Sequence, residues 1–255
     1  MISCTSFRNG GAHNAVYQSY HCLGRAGHVY RPKPIQVSAM KKVILTTFTD
    51  PMMGLSYESE PIMDRLQKEY GDIIEFRNVM ALLVRDVSDF MTPKERAMKP
   101  EDGISLYCQR LARIYKSEES IGGLPISMDG FCLFDKDHRS SKPLNLAYKA
   151  AQLADPEKAD IFLVALRHAT VIDCLPTTHF DIIMKVVRET GIDEESFTLH
   201  YQDGGAEAAL NEDLDFTHRL GIHSLPSYLM QYKDKALLMQ SFDYQDFSDA
   251  IRSIM

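Results

Sequence analysis

The sequence predicts an α/β fold whose sheet-forming parts are separated by a helical insertion. A β-branched run, a helical stretch and an alternating run follow one another between Val43 and Met80. The middle of the chain carries apolar residues at three-to-four spacing, and the tail reads helix, strand, tight turn, strand, helix.

Val43 to Phe48 is short, apolar and β-branched, as a strand buried on both faces should be. Asp50-Pro51 then reads as a tight turn. In YESEPIMDRLQKEYG, Ile62, Met63, Leu66 and Tyr70 fall at helical spacing, Glu58 and Glu60 suit the positive end of the helix dipole, Pro61 predicts a kink and Gly71 a stop. DIIEFRNVM alternates through Ile74 and Phe76 and gives a second strand, which makes a right-handed crossover with the first. ISLYCQRLARIYKS, PLNLAYKAAQLA, EKADIFLVALRHATVIDC and HFDIIMKVVRETG read as helices. Between the first two, residues 121–143 mix Gly, Pro and aromatics and read as a long ordered loop. GGAEAALNEDLDFTHRLG is a further helix ended by Gly221. SYLMQY and ALLMQSF then form a hairpin about KDK, and DYQDFSDAIRSIM closes the chain as a helix capped by Asp243 or a neighbour. The acidic runs DEES and NEDLD read as solvated helix faces.

The expected division is residues 1–39 as a disordered or non-native extension, 40–90 as the N-terminal part of the sheet domain, 91–200 as the helical insertion and 201–255 as the C-terminal part. MKKVILTTF suggests that the natural chain starts at Met40, which the intact mass of the native protein would test.

A chain of 255 residues, 45% hydrophobic and 25% charged, is long enough for a sizeable core. Its net charge of −7 is spread along the chain, so no basic stripe offers counterion release and nucleic acid is not an expected partner. No apolar run approaches the roughly 20 residues of a membrane span, and the first residues lack the apolar core of a secretory signal. A membrane is not expected as a partner, and the reading is cytoplasmic. Cys4, Cys22, Cys108, Cys132 and Cys174 form neither a disulfide framework nor a zinc pattern. Cys108 and Cys174 read as small buried hydrophobes, and Cys132, in the long loop, as a thiol that could approach the first helix. His168, His179, His200, His218 and His223 do not fall at metal-ligand spacing, so no metal and no cofactor is expected.

Two segments resemble the DsbA-like branch of the thioredoxin superfamily. TDPMMGLSYESEP resembles the strand-to-helix turn in which such proteins carry Cys-x-x-Cys; here Met53 and Ser56 stand at the two cysteine positions. GIHSLPSYLM resembles the segment whose proline is cis and faces that pair, and Pro226 matches it. Taken by itself, Pro226 reads as a trans proline opening an edge strand, and the cis reading rests on the resemblance. FRNVMALLVRDVSDFM, residues 120–170 and NEDLDFTHRLGI are similar to cytoplasmic disulfide-isomerase-like members of that branch. The resemblance implies a thioredoxin-like fold with an all-α insertion, and a groove beside Pro226 where Leu225 offers its backbone to an extended peptide, a protein thiol substrate or glutathione. Tyr57, with Met52, Met53 and Leu55, would line that groove as an adaptable apolar surface, although a Met-rich stretch also reads as ordinary core.

A working pair needs a thiolate at a helix N-terminus. Met53 has no ionisable proton and cannot open a disulfide; Ser56 has no neighbouring base and reads as a helix N-cap. The disulfide oxidoreductase/isomerase family is therefore expected here in a redox-inactive, peptide-binding form. One alternative resembles the kappa-class glutathione transferases and the chromene carboxylate isomerases, which keep their serine at the first position of the pair, where Met53 stands here. Another resembles the protease adaptors of this branch, through SEPIMDRLQKEYGD.

Overall fold

A computed structural model describes residues 42–255; the expectations for residues 1–39 and for a start at Met40 lie outside it. Strand β1 (Val43–Thr49) leads through a turn to α1 (Gly54–Glu58) and α2 (Glu60–Tyr70), and β2 (Ile74–Met80) follows. After a 3-10 turn at Val87–Asp89 come α3 (Pro93–Arg96), α4 (Pro100–Gly122), α5 (Lys142–Ala154), α6 (Ala159–Val171), α7 (Phe180–Thr190), α8 (Glu194–Gln202) and α9 (Gly205–Arg219). Strands β3 (Ser227–Tyr232) and β4 (Lys235–Met239) and helix α10 (Tyr244–Ile254) complete the chain. The strand order is β2-β1-β3-β4, with β1 parallel to β2 and antiparallel to β3.

Successive side chains of β1 point to opposite faces of the sheet. Val43 and Leu45 join Ile74, Tyr228 and Met230 under Leu66 of α2 and Phe247 and Ile251 of α10. Phe48 joins Val79 and Leu229 on the other face, against Phe216 and Leu220 from and just beyond α9. A third, larger cluster fills the helical layer, where α5 packs against α6, α8 and α9.

Three features depart from the sequence reading. The predicted early helix is two helices, broken at Ser59, with Pro61 in the first turn of α2, where its missing N–H costs no bond. Helix α8 was not read as an element of its own: its acidic start DEES is solvated as expected, Asp193 caps it by accepting from the Ser196 N–H, and Phe197 beyond is fully buried against Phe162. Helix α3 was not read from the sequence, yet Thr92 and Glu95 cap each other reciprocally around Thr-Pro-Lys-Glu. Residues 123–141 hold no helix or strand, and Ile126, Phe131, Leu133 and Phe134 pin that loop to the helices.

Candidate functional site

The turn after β1 is held by a carboxylate. Met53 N–H donates to the Asp50 carbonyl at 3.1 Å and closes the turn. The Asp50 carboxylate is fully buried and accepts from the N–H groups of Met52 (3.1 Å) and Leu83 (2.8 Å), from Ser141 Oγ (2.7 Å) and from Asn145 Nδ2 (2.8 Å). Burial pushes its pKa up, and these four bonds pull against that push. Asp50 thus does more than make a turn: it ties the end of β1 to the chain after β2 and to the start of α5.

Met53 sits at the N-cap position of α1, 5% exposed. Ser56 is not an N-cap: it lies inside α1, its Oγ 2.7 Å from Thr49 Oγ1 and 4.0 Å from Met53 Sδ. Tyr57 is buried, donates its hydroxyl to the Pro125 carbonyl at 2.9 Å and meets the His168 ring edge-on at 5.4 Å. Tyr115 of α4 donates to the Met52 carbonyl. Glu60 receives Arg167 at 2.9 Å and His168 at 2.7 Å, which clamps α2 to α6. Met52, Met53 and Tyr57 therefore form core, not the exposed apolar surface expected of them; of that set only Leu55 is partly exposed.

The Leu225–Pro226 peptide is cis. Ser227 pairs with Phe48, so Pro226 falls alongside Thr49, whose hydroxyl holds Ser56. Pro226 is buried, and Leu225 before it is half-buried. The register thus sets Pro226 beside Thr49, whose hydroxyl holds Ser56 close to Met53, while Tyr57 turns away into the helical layer. A cavity of about 420 Å³ opens beyond Tyr57, lined by Lys116, Pro125, Ile126, Met128, Asp129 and Ile172.

Glu118 was not singled out in the sequence, and Glu58, expected in the first turn of a helix, ends α1 instead. A Cβ on Gly54 would lie 2.0 Å from Glu118 Oε2, so glycine is what lets that carboxylate reach α1. Burial, then the charge of Glu58, pushes the Glu118 pKa up to about 7. Glu58 accepts from the Leu124 N–H at 3.0 Å; its Oε1 and Glu118 Oε2 are buried without a hydrogen-bond partner.

The loop after α4 gathers others. Cys108 is a buried residue of α4, as expected, and its Sγ also lies 2.6 Å from that of Cys132. Cys132 meets α4 at this sulfur, which corrects the idea of a thiol displaced toward the first helix. Cys174 lies past α6 with a left-handed backbone (φ 55°), its Sγ 2.9 Å from the Ser127 carbonyl, and is not a helix-interior hydrophobe. His179 stands at the N-cap position of α7; it and His138 stack with ring centroids 3.8 Å apart, and both contact the Asp135 carboxylate, at 2.8 and 3.0 Å. Ligand atoms of these three residues lie within 4.8 Å of one another, close enough to share a metal ion. Hydrogen bonding between them already satisfies the carboxylate.

A four-stranded sheet with a cis proline beside the β1–α1 turn, split by helices, defines a thioredoxin-type protein. The chain belongs to the thioredoxin family, whose model matches residues 46–246. It is 26% identical over 189 residues to the ClpXP adapter protein SpxH of Halalkalibacterium halodurans, covering 74% of this chain and 58% of that one. The chain thus spans about three fifths of that relative's length. Its fold is similar to that of a putative protein disulfide isomerase from Nitrosomonas europaea, with a TM-score of 0.66, 17% identity and coverage of 83% and 98% of the two chains. It is also similar to the cytosolic disulfide reductase DsbM from Pseudomonas aeruginosa, with a TM-score of 0.60, 16% identity and coverage of 83% and 100%. The architecture is DsbA-like. Among the described residues, no helix is long and apolar enough to cross a membrane.

Proposed function

We propose that this chain is a protein adaptor: a DsbA-like scaffold, without thiol chemistry at its β1–α1 turn, that binds an extended segment of a protein and delivers it to an ATP-dependent protease. The observation that carries the reading is the turn itself. Met53 and Ser56 offer no thiol and are buried, so the turn has no group for electron exchange while the sheet around it is complete. The relative from Halalkalibacterium halodurans and one from Bacillus subtilis, 22% identical over 237 residues, are both ClpXP adapter proteins. Leu225, half-buried before the cis bond, is the backbone edge on which the extended segment would lie. Pro226 supports it, and Tyr57 holds α1 against the loop.

The test uses purified ClpXP protease and cytosol from the native source, with and without the chain. ATP-dependent loss of a defined protein should require the chain, and that protein should bind it directly by calorimetry. Insulin reduction with dithiothreitol should proceed no faster than the uncatalysed rate once Cys108, Cys132 and Cys174 are each replaced. The reading fails if no proteolysis depends on the chain, or if the chain still turns over insulin disulfides after those replacements.

A further inference from the structure

We propose that Cys108 and Cys132 form a dithiol/disulfide site, remote from the β1–α1 turn, that exchanges electrons with a low-molecular-weight disulfide. The inference does not depend on the adaptor reading, because it uses none of the residues of that turn.

Four observations carry it. The two sulfurs are in contact at 2.6 Å although their residues are 24 apart in sequence, one on α4 and the other in the loop at 123–141. Their accessibilities are divided as an exchange reaction requires: Cys132 is exposed and can be attacked or attack, whereas Cys108 is 1% exposed and can react only with what Cys132 has captured. Both thiols approach one acceptor, the Phe134 carbonyl, Cys132 at 3.1 Å and Cys108 at 3.6 Å, which fixes their relative orientation. Finally, Phe131, Leu133 and Phe134 are all buried around Cys132, with Phe131 against Tyr115 and Phe134 against Tyr107, so the loop cannot carry its sulfur away from α4.

The electrostatics support the same order of events. The hydrogen bond shared between the sulfurs, and then burial, push the Cys108 thiol up; that bond pulls Cys132 down to about 7. Cys132 is accordingly the attacking thiolate and Cys108 the resolving thiol. In the first step Cys132 Sγ attacks one sulfur of the small disulfide, forms a mixed disulfide and expels one small thiolate. In the second, Cys108 gives up its proton, its sulfur attacks Cys132 Sγ, and the second small thiolate leaves. Two protein thiols become one disulfide, the small disulfide is reduced by two electrons to two thiols, and the two protons released by the protein end on those thiols. The product ties the loop covalently to α4 and deprives the Phe134 carbonyl of both thiol donors.

The experiment equilibrates the full chain with graded ratios of oxidised to reduced glutathione, quenches in acid, alkylates and maps the peptides. A cross-linked pair of peptides joining Cys108 to Cys132 should accumulate as the buffer becomes oxidising, reverse with dithiothreitol and leave Cys174 open to alkylation. Cys132→Ser, a change at an exposed position, should abolish the cross-link without loss of fold. Cys108→Ala should leave Cys132 as a glutathione mixed disulfide that persists at least about tenfold longer than in the unaltered chain, since the resolving sulfur is gone. The proposal is overturned if the unaltered chain stays reduced at every ratio, if Cys132 accumulates only the mixed disulfide, or if the cross-link that forms involves Cys4, Cys22 or Cys174 instead.

Discussion

The β1–α1 turn and the loop after α4 each hold a sulfur atom among buried groups, and helix α4 touches both. On one side of α4, Tyr115 and Glu118 face the turn that contains Met53; two turns earlier, Cys108 faces Cys132 in the loop. The turn holds a thioether, which cannot ionise and so offers no thiol exchange. The loop has atoms suited to exchange, an exposed thiol on a buried one, at a place the fold does not prescribe. Position in a fold and chemistry of a side chain are therefore separable, and function has to be argued from the second.

The largest expected effect breaks the turn. Asp50→Ala would strand four donors, two of them backbone N–H groups, around a buried hole. At about 1–3 kcal/mol for each group left unsatisfied, the loss should reach about 4 kcal/mol or more in urea denaturation. Cys132→Ser, at an exposed loop position, should stay within about 0.5 kcal/mol of the unaltered chain. Equal tolerance at the two sites would mean that the turn is not the locked region described here. A second comparison replaces sulfur by sulfur. A thiol introduced by Met53→Cys would sit at a 5% exposed position. Its alkylation near neutral pH should be at least about tenfold slower than that of Cys132. Comparable rates would show that the turn opens readily and that its packing is no barrier to chemistry.

Much of this was legible in the sequence, for identifiable reasons. The sheet strands were readable because β-branched and alternating runs are local signals, as was the Asp243 cap of α10, whose side chain accepts from the Gln245 N–H. The turn at Asp50 and the cis bond at Pro226 were readable because each segment carries its own residue pattern. The packing of Met52, Met53 and Tyr57 was not, since what buries them comes from Tyr115, Pro125 and His168, far along the chain. The same limit hid Asp50, whose partners Ser141 and Asn145 lie on α5 or at its start, and the Cys108–Cys132 and Asp135–His138–His179 groupings, which exist only once the loop is folded back. Helix α8 escaped because its apolar face is a single buried residue, Phe197, behind an acidic start. Helix α3 did carry a signal, the Thr92-to-Glu95 capping box, that a reading centred on apolar spacing passes over.

The two smallest effects are opposite pH dependences that separate the middle of α4 from its C-terminal end. Near Cys108, Arg110 binds Glu95 at 3.0 Å and, with the Thr92 backbone, holds its carboxyl down to about 2, from 4.5. A lowered folded-state value stabilises above the unfolded value, so this contribution should be complete above pH 4.5 and disappear as pH falls toward 2. Glu95→Gln should cost about 2 kcal/mol near neutral pH and flatten that acid slope in urea titrations. Near Met53 the sign reverses. Glu118 is raised from 4.5 to about 7, so the folded state resists its ionisation. Stability should be greatest below pH 4.5 and decline as pH rises to about 7, where the carboxylate charges beside Gly54 and Glu58. Glu118→Gln removes that decline: Tm above neutrality should rise by about 3 °C, the shift that ~1 kcal/mol gives in a domain of this size, and should be unchanged in mild acid. A rise at both pH values would mean that packing, and not charge, limits the turn.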